Sequence, residues 1–245
     1  MSDVPPSHPR YQSLMAREKI VQGVTRGITS PHGLIAHGRG EAFDYMLGEV
    51  THLFAANAVE AGCALLLTAA HPVISVNGNA CALAAEELVA LARVTGAALE
   101  VNIFHSSGER EQAIRQALLE AGATNVLMPS RTHALDYIDH NRRWVHPEGI
   151  HRADVVCVPL EDGDRCEALV RNGKRVLTVD LNPLSRTARA ATVTIVDNLT
   201  RCLPLLVKCA GELSGAAEPV LLARVAAWDN AGALLAAEYR MRQIS

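Results

Sequence analysis

Short runs of aliphatic and β-branched residues alternate along the chain with longer segments whose apolar residues recur at helical spacing. Runs of this kind, bounded by turn residues, are typical of strands buried on both faces of a parallel sheet. They occupy residues 73–76, 98–104, 126–128, 154–158, 176–179 and 193–196. Helical spacing begins near residues 11 and 41 and covers residues 84–95, 108–121 and 199–213. The alternation predicts a Rossmann-like α/β fold, a doubly wound and mostly parallel sheet flanked by helices.

The end of the chain is predicted to be a separate element. Residues 214–217 are small and are interpreted as a linker. The tail beyond Pro219 has apolar residues at the spacing of one amphipathic helix, namely Leu222, Val225, Trp228, Leu234 and Leu235. We therefore expect a main domain over residues 1–213. Residues 214–245 are expected to form the linker and a helix that packs on this domain or on a second subunit.

Polar residues concentrate where the last two predicted strands end. Asp180, Leu181 and Asn182 follow the strand at 176–179, and Asn198 follows the strand at 193–196. The loop between these strands carries hydroxyl and guanidinium groups, from Ser185, Arg186, Thr187 and Arg189. Parallel sheets bind ligands at the carboxyl ends of their strands. The sequence therefore predicts a binding site at this edge.

Residues 27–40, GITSPHGLIAHGRG, are predicted to form a glycine-rich loop before a helix that begins near Glu41. Glycine lets the backbone approach a ligand closely. His37 and Arg39 would then lie beside the amino terminus of that helix, which favours anions. The phosphate-binding patterns GxxxxGK[ST] and GxGxxG are absent. The residues alone leave an anion-binding loop and a purely structural loop open.

Two more polar groups follow predicted strands. Asn77-Gly78-Asn79 forms either a simple turn or a pair of carboxamides that orient substrate oxygens. Glu161, Asp162 and Asp164 either contribute to a Mg²⁺ site, with Asp162 and Asp164 as the metal ligands, or cap the next helix. The polar region 131–152 is assigned no chemistry.

Composition narrows the function classes. The net charge of -3 argues against a nucleic-acid partner, because phosphate backbones require clustered basic surface. Basic residues are three Lys and twenty Arg, and Arg is the better bidentate ligand for phosphate. The six cysteines lack CxxC spacing, so reduced core thiols are expected. No apolar run approaches the roughly 20 residues of a membrane span, and a cytoplasmic protein is expected.

Five blocks of the sequence resemble the archaeal phosphopantothenate synthetases, the 4-phosphopantoate–β-alanine ligases of coenzyme A synthesis. The blocks are SHPRYQSLMAREK, GLIAHGRGEAFDYMLGE, PVISVNGNACAL, ADVVCVPLEDGDRCEALVRNGK and VDLNPLSRTARAATVTIVDN. This resemblance implies a homodimeric Rossmann-like enzyme that uses ATP and Mg²⁺. It also implies that 4-phosphopantoate is joined to β-alanine through an acyl-adenylate, with release of AMP and pyrophosphate.

The resemblance also implies site residues. The ATP contacts of the family correspond to Arg17, Arg39, Asp180, Leu181, Asn182, Arg186, Thr187, Asn198 and Leu199. Activation of a carboxylate brings two anions together, so cationic side chains must offset their repulsion. We expect Arg39, Arg186 and His37 to be catalytic. The residues expected around phosphopantoate are His37, Asn77, Asn79 and Arg189.

Two other functions compete with the ligase. A nicotinamide-dependent reductase could use the same kind of sheet, but the missing GxGxxG pattern disfavours it. A nucleotide-sensing module could bind ATP through the same arginines without turnover. For the dimer, the sequence predicts an interface on the helical region 41–70, since residues 43–67 hold more apolar side chains than one helical stripe needs.

Overall fold

A five-stranded sheet with all strands parallel forms the centre of the protein, in a computed structural model that describes residues 4–104 and 107–243. The strands are β1 (Pro72–Val76), β2 (Ala98–Val101), β3 (Val155–Pro159), β4 (Arg175–Val179) and β5 (Val193–Ile195). Their spatial order is β2-β1-β3-β4-β5. The predicted Rossmann-like α/β fold is confirmed, and the sheet is wholly rather than mostly parallel.

One predicted strand is almost absent. Residues 126–128 contribute only an isolated parallel bridge between Leu127 and Glu100 beside β2. The Leu127 amide donates to the Leu99 carbonyl at 2.8 Å, and the Val101 amide donates to the Leu127 carbonyl at 3.0 Å. The segment lies at the edge of the sheet, so it has one neighbouring strand instead of two.

Ten helices are described between residues 4 and 104 and between 107 and 243. They are α1 (Tyr11–Thr25), α2 (Pro31–Leu47), α3 (Leu53–Leu67), α4 (Gly78–Thr95), α5 (Gly108–Glu120), α6 (Gly163–Arg171), α7 (Arg186–Ala190), α8 (Leu199–Leu213), α9 (Glu218–Ala226) and α10 (Asn230–Arg242). Residues 131–152 contain two short helical turns, Asn141–Arg143 and Pro147–His151, and an isolated antiparallel bridge between Ala134 and Trp144.

The two faces of the sheet carry two separate apolar cores. Ile74 and Val76 of β1 pack with residues of α3, α4, α5 and α8 on one face. Val73 packs on the other face with α6 and the segment that precedes β3. Five of the six cysteines are buried, and all six are free thiols, as the sequence predicts. Alternating burial on both faces accounts for the continuous apolar runs of the strands.

The predicted glycine-rich loop is wrong, because α2 begins at Pro31 and not near Glu41. Proline suits the first turn of a helix, and Ser30 supplies the extended residue before it. Glycine inside the helix is required by packing at Gly33, where an added Cβ would lie 2.3 Å from Asn79 Oδ1. His37 and Arg39 are therefore in the middle of a helix. The amino terminus of this helix, where we predicted His37 and Arg39, is instead formed by residues 31–33.

The helical pattern predicted from residue 41 is also interrupted. Helix α2 ends at Gly48, whose φ of 84° is a left-handed conformation that glycine adopts without strain. The next helix, α3, begins at Leu53 after a short connection. The apolar spacing continues across the break, which is why the sequence alone reads as one helix.

The tail forms two helices rather than the one predicted. Helices α9 and α10 are separated at residues 227–229 and bend by 56°. Leu234, Ala237 and Met241 of α10 pack with Leu47 of α2 and Leu181 beyond β4. No single helix in the described ranges has the length and apolar character of a membrane span, and only the bent α9–α10 pair passes that test by length and composition.

Candidate active site

A cavity of about 320 Å³ lies at the carboxyl ends of the strands, where the sheet changes its direction of winding. The chain runs from β1 outward to β2 and then returns across β1 to β3, so the connections after β1 and β3 diverge and leave a crevice. Asn77 follows β1, Phe104 follows β2 and Leu160 follows β3, and all three line the cavity. Leu181 and Asn198 extend its wall toward β4 and β5.

The starts of helices α2, α4 and α8 lie at the cavity. Gly33 in the first turn of α2, Gly78 at the start of α4 and Leu199 at the start of α8 all line it. The amino terminus of a helix carries partial positive charge and unpaired amides, both of which favour anions. An added Cβ on Gly78 would lie 2.5 Å from the Ile28 carbonyl oxygen, so the close approach of these segments requires glycine. The arrangement suits a phosphate-bearing ligand.

His37 faces this cavity from α2. Its Nε2 atom is buried and has no hydrogen-bond partner among the described residues. Burial lowers the pKa of His37 below its usual value, and the charge of Arg17 acts in the same direction, whereas Glu41 and Asp44 oppose them. The imidazole is therefore neutral at pH 7, and its Nε2, unpartnered in the described part of the chain, makes His37 a candidate for a ligand contact.

Asn77 and Asn79 line the cavity, but both carboxamides are engaged in holding it together. Asn77 caps α4 by accepting from the Ala80 amide at 3.0 Å, and its Nδ2 donates to the Pro159 and Leu160 carbonyls at 2.9 and 3.1 Å. Asn79 donates to the Gly33 carbonyl at 2.9 Å. These bonds tie the end of β1 to β3 and α2. A substrate contact by either residue stays a prediction.

The loop after β4 brings Asp180 and Arg39 near each other. Burial raises the pKa of Asp180, while hydrogen bonds from Ser185 and the Asn182 amide and the charge of Arg39 oppose the rise. The Asn182 amide donates to Asp180 Oδ1 at 2.9 Å. Leu181, between them, faces the cavity. Of the predicted residues 180–182, only Leu181 therefore lines the cavity. Asp180, Asn182 and the exposed Arg39 lie outside its lining.

Asn198 is the cap of α8 and part of a buried ionic network. Its Oδ1 accepts from the Thr200 amide at 3.1 Å, and its Nδ2 donates to Asp44 of α2 at 2.9 Å. Arg201 binds both Asp44 and Asp197. This network fixes α2 against the end of β5. It therefore sets the position of the helix that carries His37.

The remaining predicted ATP contacts lie outside the cavity lining. Arg17 donates through Nε to both Glu41 oxygens at 2.7 and 2.9 Å, and Glu41 lines the cavity. Thr187 is buried and donates to the Glu161 carbonyl at 2.8 Å. The Arg186 side chain is 65% exposed and only weakly paired with Glu167, at 3.4 Å. Arg189 on the same helix is also exposed.

The two predicted metal ligands do not converge. Asp162 accepts from Arg142 Nη1 at 2.9 Å, whereas Asp164 is hydrogen-bonded to His140 Nε2 at 2.8 Å. Within residues 4–104 and 107–243, no group of three or more His, Cys, Asp or Glu side chains could hold a metal ion. The guanidinium beside Asp162 also disfavours a dication there. These residues do not fit a protein-held Mg²⁺ site.

The sequence of this chain matches the phosphopantothenate/pantothenate synthetase family model over residues 54–244. The chain belongs to this family. It is 52% identical to the 4-phosphopantoate–β-alanine ligase of Methanosarcina mazei over 94% of this chain and 90% of that protein. The ligase of the same name from Thermococcus kodakarensis is 50% identical over 94% of this chain and 88% of that protein. The one from Methanospirillum hungatei is 52% identical over 86% of this chain and 86% of that protein. The resemblance to archaeal phosphopantothenate synthetases is confirmed.

In this synthetase cavity, the residue that sequence reasoning missed is Arg142. It comes from the region 131–152, to which we assigned no chemistry, yet it is buried and lines the cavity. Its guanidinium donates to Asn102 Oδ1 at 3.1 Å, to Glu161 Oε2 at 2.7 Å and to Asp162 Oδ2 at 2.9 Å. Arg142 therefore bridges the ends of β2 and β3. The local sequence contains no motif that signals this role.

A second buried arginine, Arg165, shares the carboxylate of Glu161 with Arg142. Arg165 is fully buried and pairs with Glu161, and its Nε and Nη2 atoms have no partner among the described residues. Glu100 of β2 is buried nearby and accepts from the His146 and Ile150 amides at 2.9 and 2.6 Å. Burial raises the pKa of Glu100 to about 7. Arg142, Glu161 and Arg165 thus form a buried ionic network beside the cavity.

Proposed function

We propose that this protein condenses 4-phosphopantoate with β-alanine at the expense of ATP and yields 4′-phosphopantothenate, AMP and pyrophosphate in coenzyme A biosynthesis. The proposal is carried by identity of about half of all residues, over nearly the whole chain, to relatives named 4-phosphopantoate–β-alanine ligase. The cavity at the switch point of the sheet supports the same conclusion, because three helix starts favour phosphate there. We place the protein in the cytoplasm as part of this proposal.

The first step of the proposed reaction is adenylation. A carboxylate oxygen of phosphopantoate attacks the α-phosphorus of ATP, and the bond to the β-phosphate oxygen breaks to release pyrophosphate. We assign the ATP side of the site to residues 180–182, Asn198 and Leu199, with Arg17, Arg39, Arg186 and Thr187 around it. Guanidinium groups offset the repulsion between the two anions. Mg²⁺ would accompany the ATP phosphates, since the described residues contain no group of three or more His, Cys, Asp or Glu side chains that could hold it.

The second step forms the amide. The β-alanine nitrogen, once deprotonated, attacks the acyl carbon, and the bond from this carbon to the AMP oxygen breaks. One proton leaves the nitrogen before the attack and another is lost after it. His37 is suited to accept a proton, because its imidazole is neutral at pH 7 and its buried Nε2 has no partner in the described residues. We propose that phosphopantoate lies between His37 and the ATP side, near Asn77, Asn79 and Arg189.

Isotope transfer tests the adenylate route. Phosphopantoate labelled with ¹⁸O in its carboxylate is expected to deliver one labelled oxygen to AMP, because that oxygen bridges carbon and α-phosphorus until the amine displaces it. The label is read by mass spectrometry of the nucleotide product. Label in inorganic phosphate together with ADP would disprove the route. An ATP-sensing module would form no AMP when both substrates are supplied.

We also propose a homodimer. Part of the apolar excess that motivated the predicted interface over residues 41–70 is explained by the core, where α3 buries most of its length. Large apolar side chains nevertheless remain exposed on α2, on the α2–α3 connection, at the start of α3 and on α10, namely Leu34, Ile35, Tyr45, Met46, Val50, Leu53, Leu235 and Tyr239. Exposed apolar patches on a water-facing surface are typical of protein interfaces.

Replacing Leu53 by Asp tests this surface. The Leu53 side chain is 76% exposed, so the change is expected to leave the fold intact and to shift the protein from dimer to monomer. Light scattering at micromolar concentration measures the mass. Val170→Asp on α6, also an exposed apolar position, is the control and is expected to remain dimeric. A monomeric wild-type protein would refute the proposal.

A further inference from the structure

A carboxylate points into a cavity that is otherwise arranged for anions. Asp162 lines the cavity, and its side chain is 54% exposed. ATP and phosphopantoate are both polyanions, and a carboxylate repels them except where a cation offsets its charge. The presence of Asp162 therefore calls for a structural role or for a cationic ligand.

Asp162 does not play the usual structural role of an Asp at this position, which is to cap the helix. Asp162 is the residue immediately before α6, yet its side chain makes no cap hydrogen bond. An Asp at this position normally accepts from an amide of the first turn, which stabilises the helix by about 1 kcal/mol. Instead, Asp162 Oδ2 accepts from Arg142 Nη1 at 2.9 Å. Its Oδ1 has no partner in the described part of the chain. Arg142 thus holds the carboxylate away from the helix.

Glu41, the other acid of the cavity lining, has both carboxylate oxygens engaged in hydrogen bonds. Glu41 accepts from Ser13 Oγ at 2.8 Å, and both of its oxygens accept from Arg17 Nε. Asp162 is therefore the lining carboxylate with an uncommitted oxygen within residues 4–104 and 107–243.

The surroundings of Asp162 favour a monovalent ammonium group over Mg²⁺ as its ligand. Mg²⁺ requires octahedral oxygen ligation, and the neighbouring Asp164 is bonded to His140 rather than to a shared site. The adjacent Arg142 guanidinium repels a dication more strongly than a monovalent group. A substrate ammonium carries a single charge, and one carboxylate oxygen can bind one of its N–H groups.

We propose that Asp162 binds the ammonium group of the amine substrate, and that Arg142 positions Asp162 for this contact. The inference rests on the function proposed above, in which the amine is β-alanine. The carboxylate attracts the amine into a site that would otherwise select anions only. It also brings the nitrogen into the cavity that holds the uncommitted Nε2 of His37.

Asp162→Asn tests the inference, because the two half-reactions can be measured separately. Phosphopantoate-dependent exchange of labelled pyrophosphate into ATP reports adenylation without the amine. The variant is expected to retain this exchange. Its KM for β-alanine is expected to rise on the order of 10- to 100-fold, because one charge-assisted hydrogen bond to the substrate is lost. Asp162→Glu is expected to recover part of the loss. Asp136→Asn, which alters an exposed acid outside the cavity lining, is the matched control and is expected to leave the KM unchanged.

An alternative nucleophile distinguishes binding from chemistry. Hydroxylamine is uncharged at neutral pH and traps acyl-adenylates as hydroxamates, so its reaction is expected to be the same in the wild type and in Asp162→Asn. An unchanged KM for β-alanine in the variant would overturn the inference. Lost exchange together with a raised Mg²⁺ requirement would identify Asp162 as a metal ligand instead. If the wild type shows neither exchange nor AMP formation, the proposed function fails, independently of Asp162.

Discussion

Replacing Arg142 by Met is expected to lower the free energy of unfolding by about 3 kcal/mol, as typical for breaking a buried ion pair. The methionine fills most of the volume, but Glu161 and Arg165 remain buried with half of their ion network gone. Asn102 also loses the guanidinium that its side-chain oxygen binds. Urea unfolding followed by circular dichroism measures the change.

The neighbouring Arg143 provides the control. Its guanidinium lies over the Trp144 ring, 5.2 Å from the centroid, and no ion pair joins it to an acid among the described residues. Replacement of Arg143 by Met is expected to cost about 1 kcal/mol or less, the size of a partly exposed cation–π contact. Equal losses for the two variants would show that the buried network around Glu161 does not stabilise the fold.

Replacing Arg186 by Ala is expected to lower the rate of ligation on the order of a hundredfold while stability is preserved. The side chain is exposed and its contact with Glu167, at 3.4 Å, is a surface ion pair of little value to folding. The expected loss is that of one charge-assisted contact to a desolvated phosphate. Steady-state formation of AMP measures the rate, and urea unfolding checks the fold.

Arg224→Ala is the matched control for Arg186→Ala. Arg224 on α9 is also a partly exposed arginine paired with a surface acid, Glu60. It lies outside the cavity lining and outside the predicted ATP contacts. Its replacement is expected to leave the rate unchanged. Near-wild-type turnover in a folded Arg186→Ala variant would remove Arg186 from the site.

The strands were predictable because each is buried on both faces, so its apolar run is continuous, as in residues 176–179. Helix α2 was not, since its glycines resemble a loop when the chain is read locally. Gly33 is accommodated by contacts with Thr29 and Asn79, and Asn79 lies 46 residues further along the chain. Packing partners at that separation leave no local pattern.

The cavity was predictable only in part. Residues 180–182 and Asn198 follow strands, and the rule that ligands bind at strand ends places them together. Arg142 follows no strand and belongs to no motif, and its partner Asn102 lies 40 residues earlier. Nothing in the sequence indicated that Asp162 and Asp164 separate. These two acids are close in sequence, but in the fold Asp162 binds Arg142 and Asp164 binds His140.

Two sides of helix α2 differ in their surroundings. His37 and Gly33 line the cavity on one side, while Ile35 and Tyr45 are exposed elsewhere on the helix. In the proposed dimer, ligand binding and subunit association therefore act on one rigid element and are thermodynamically linked. Because a homodimer carries two ATP sites, saturating ATP must change the dimer dissociation constant by the product of the factors by which association changes the affinity at each site. The dimer dissociation constant, measured by dilution with and without ATP, then reports how strongly association changes ATP binding.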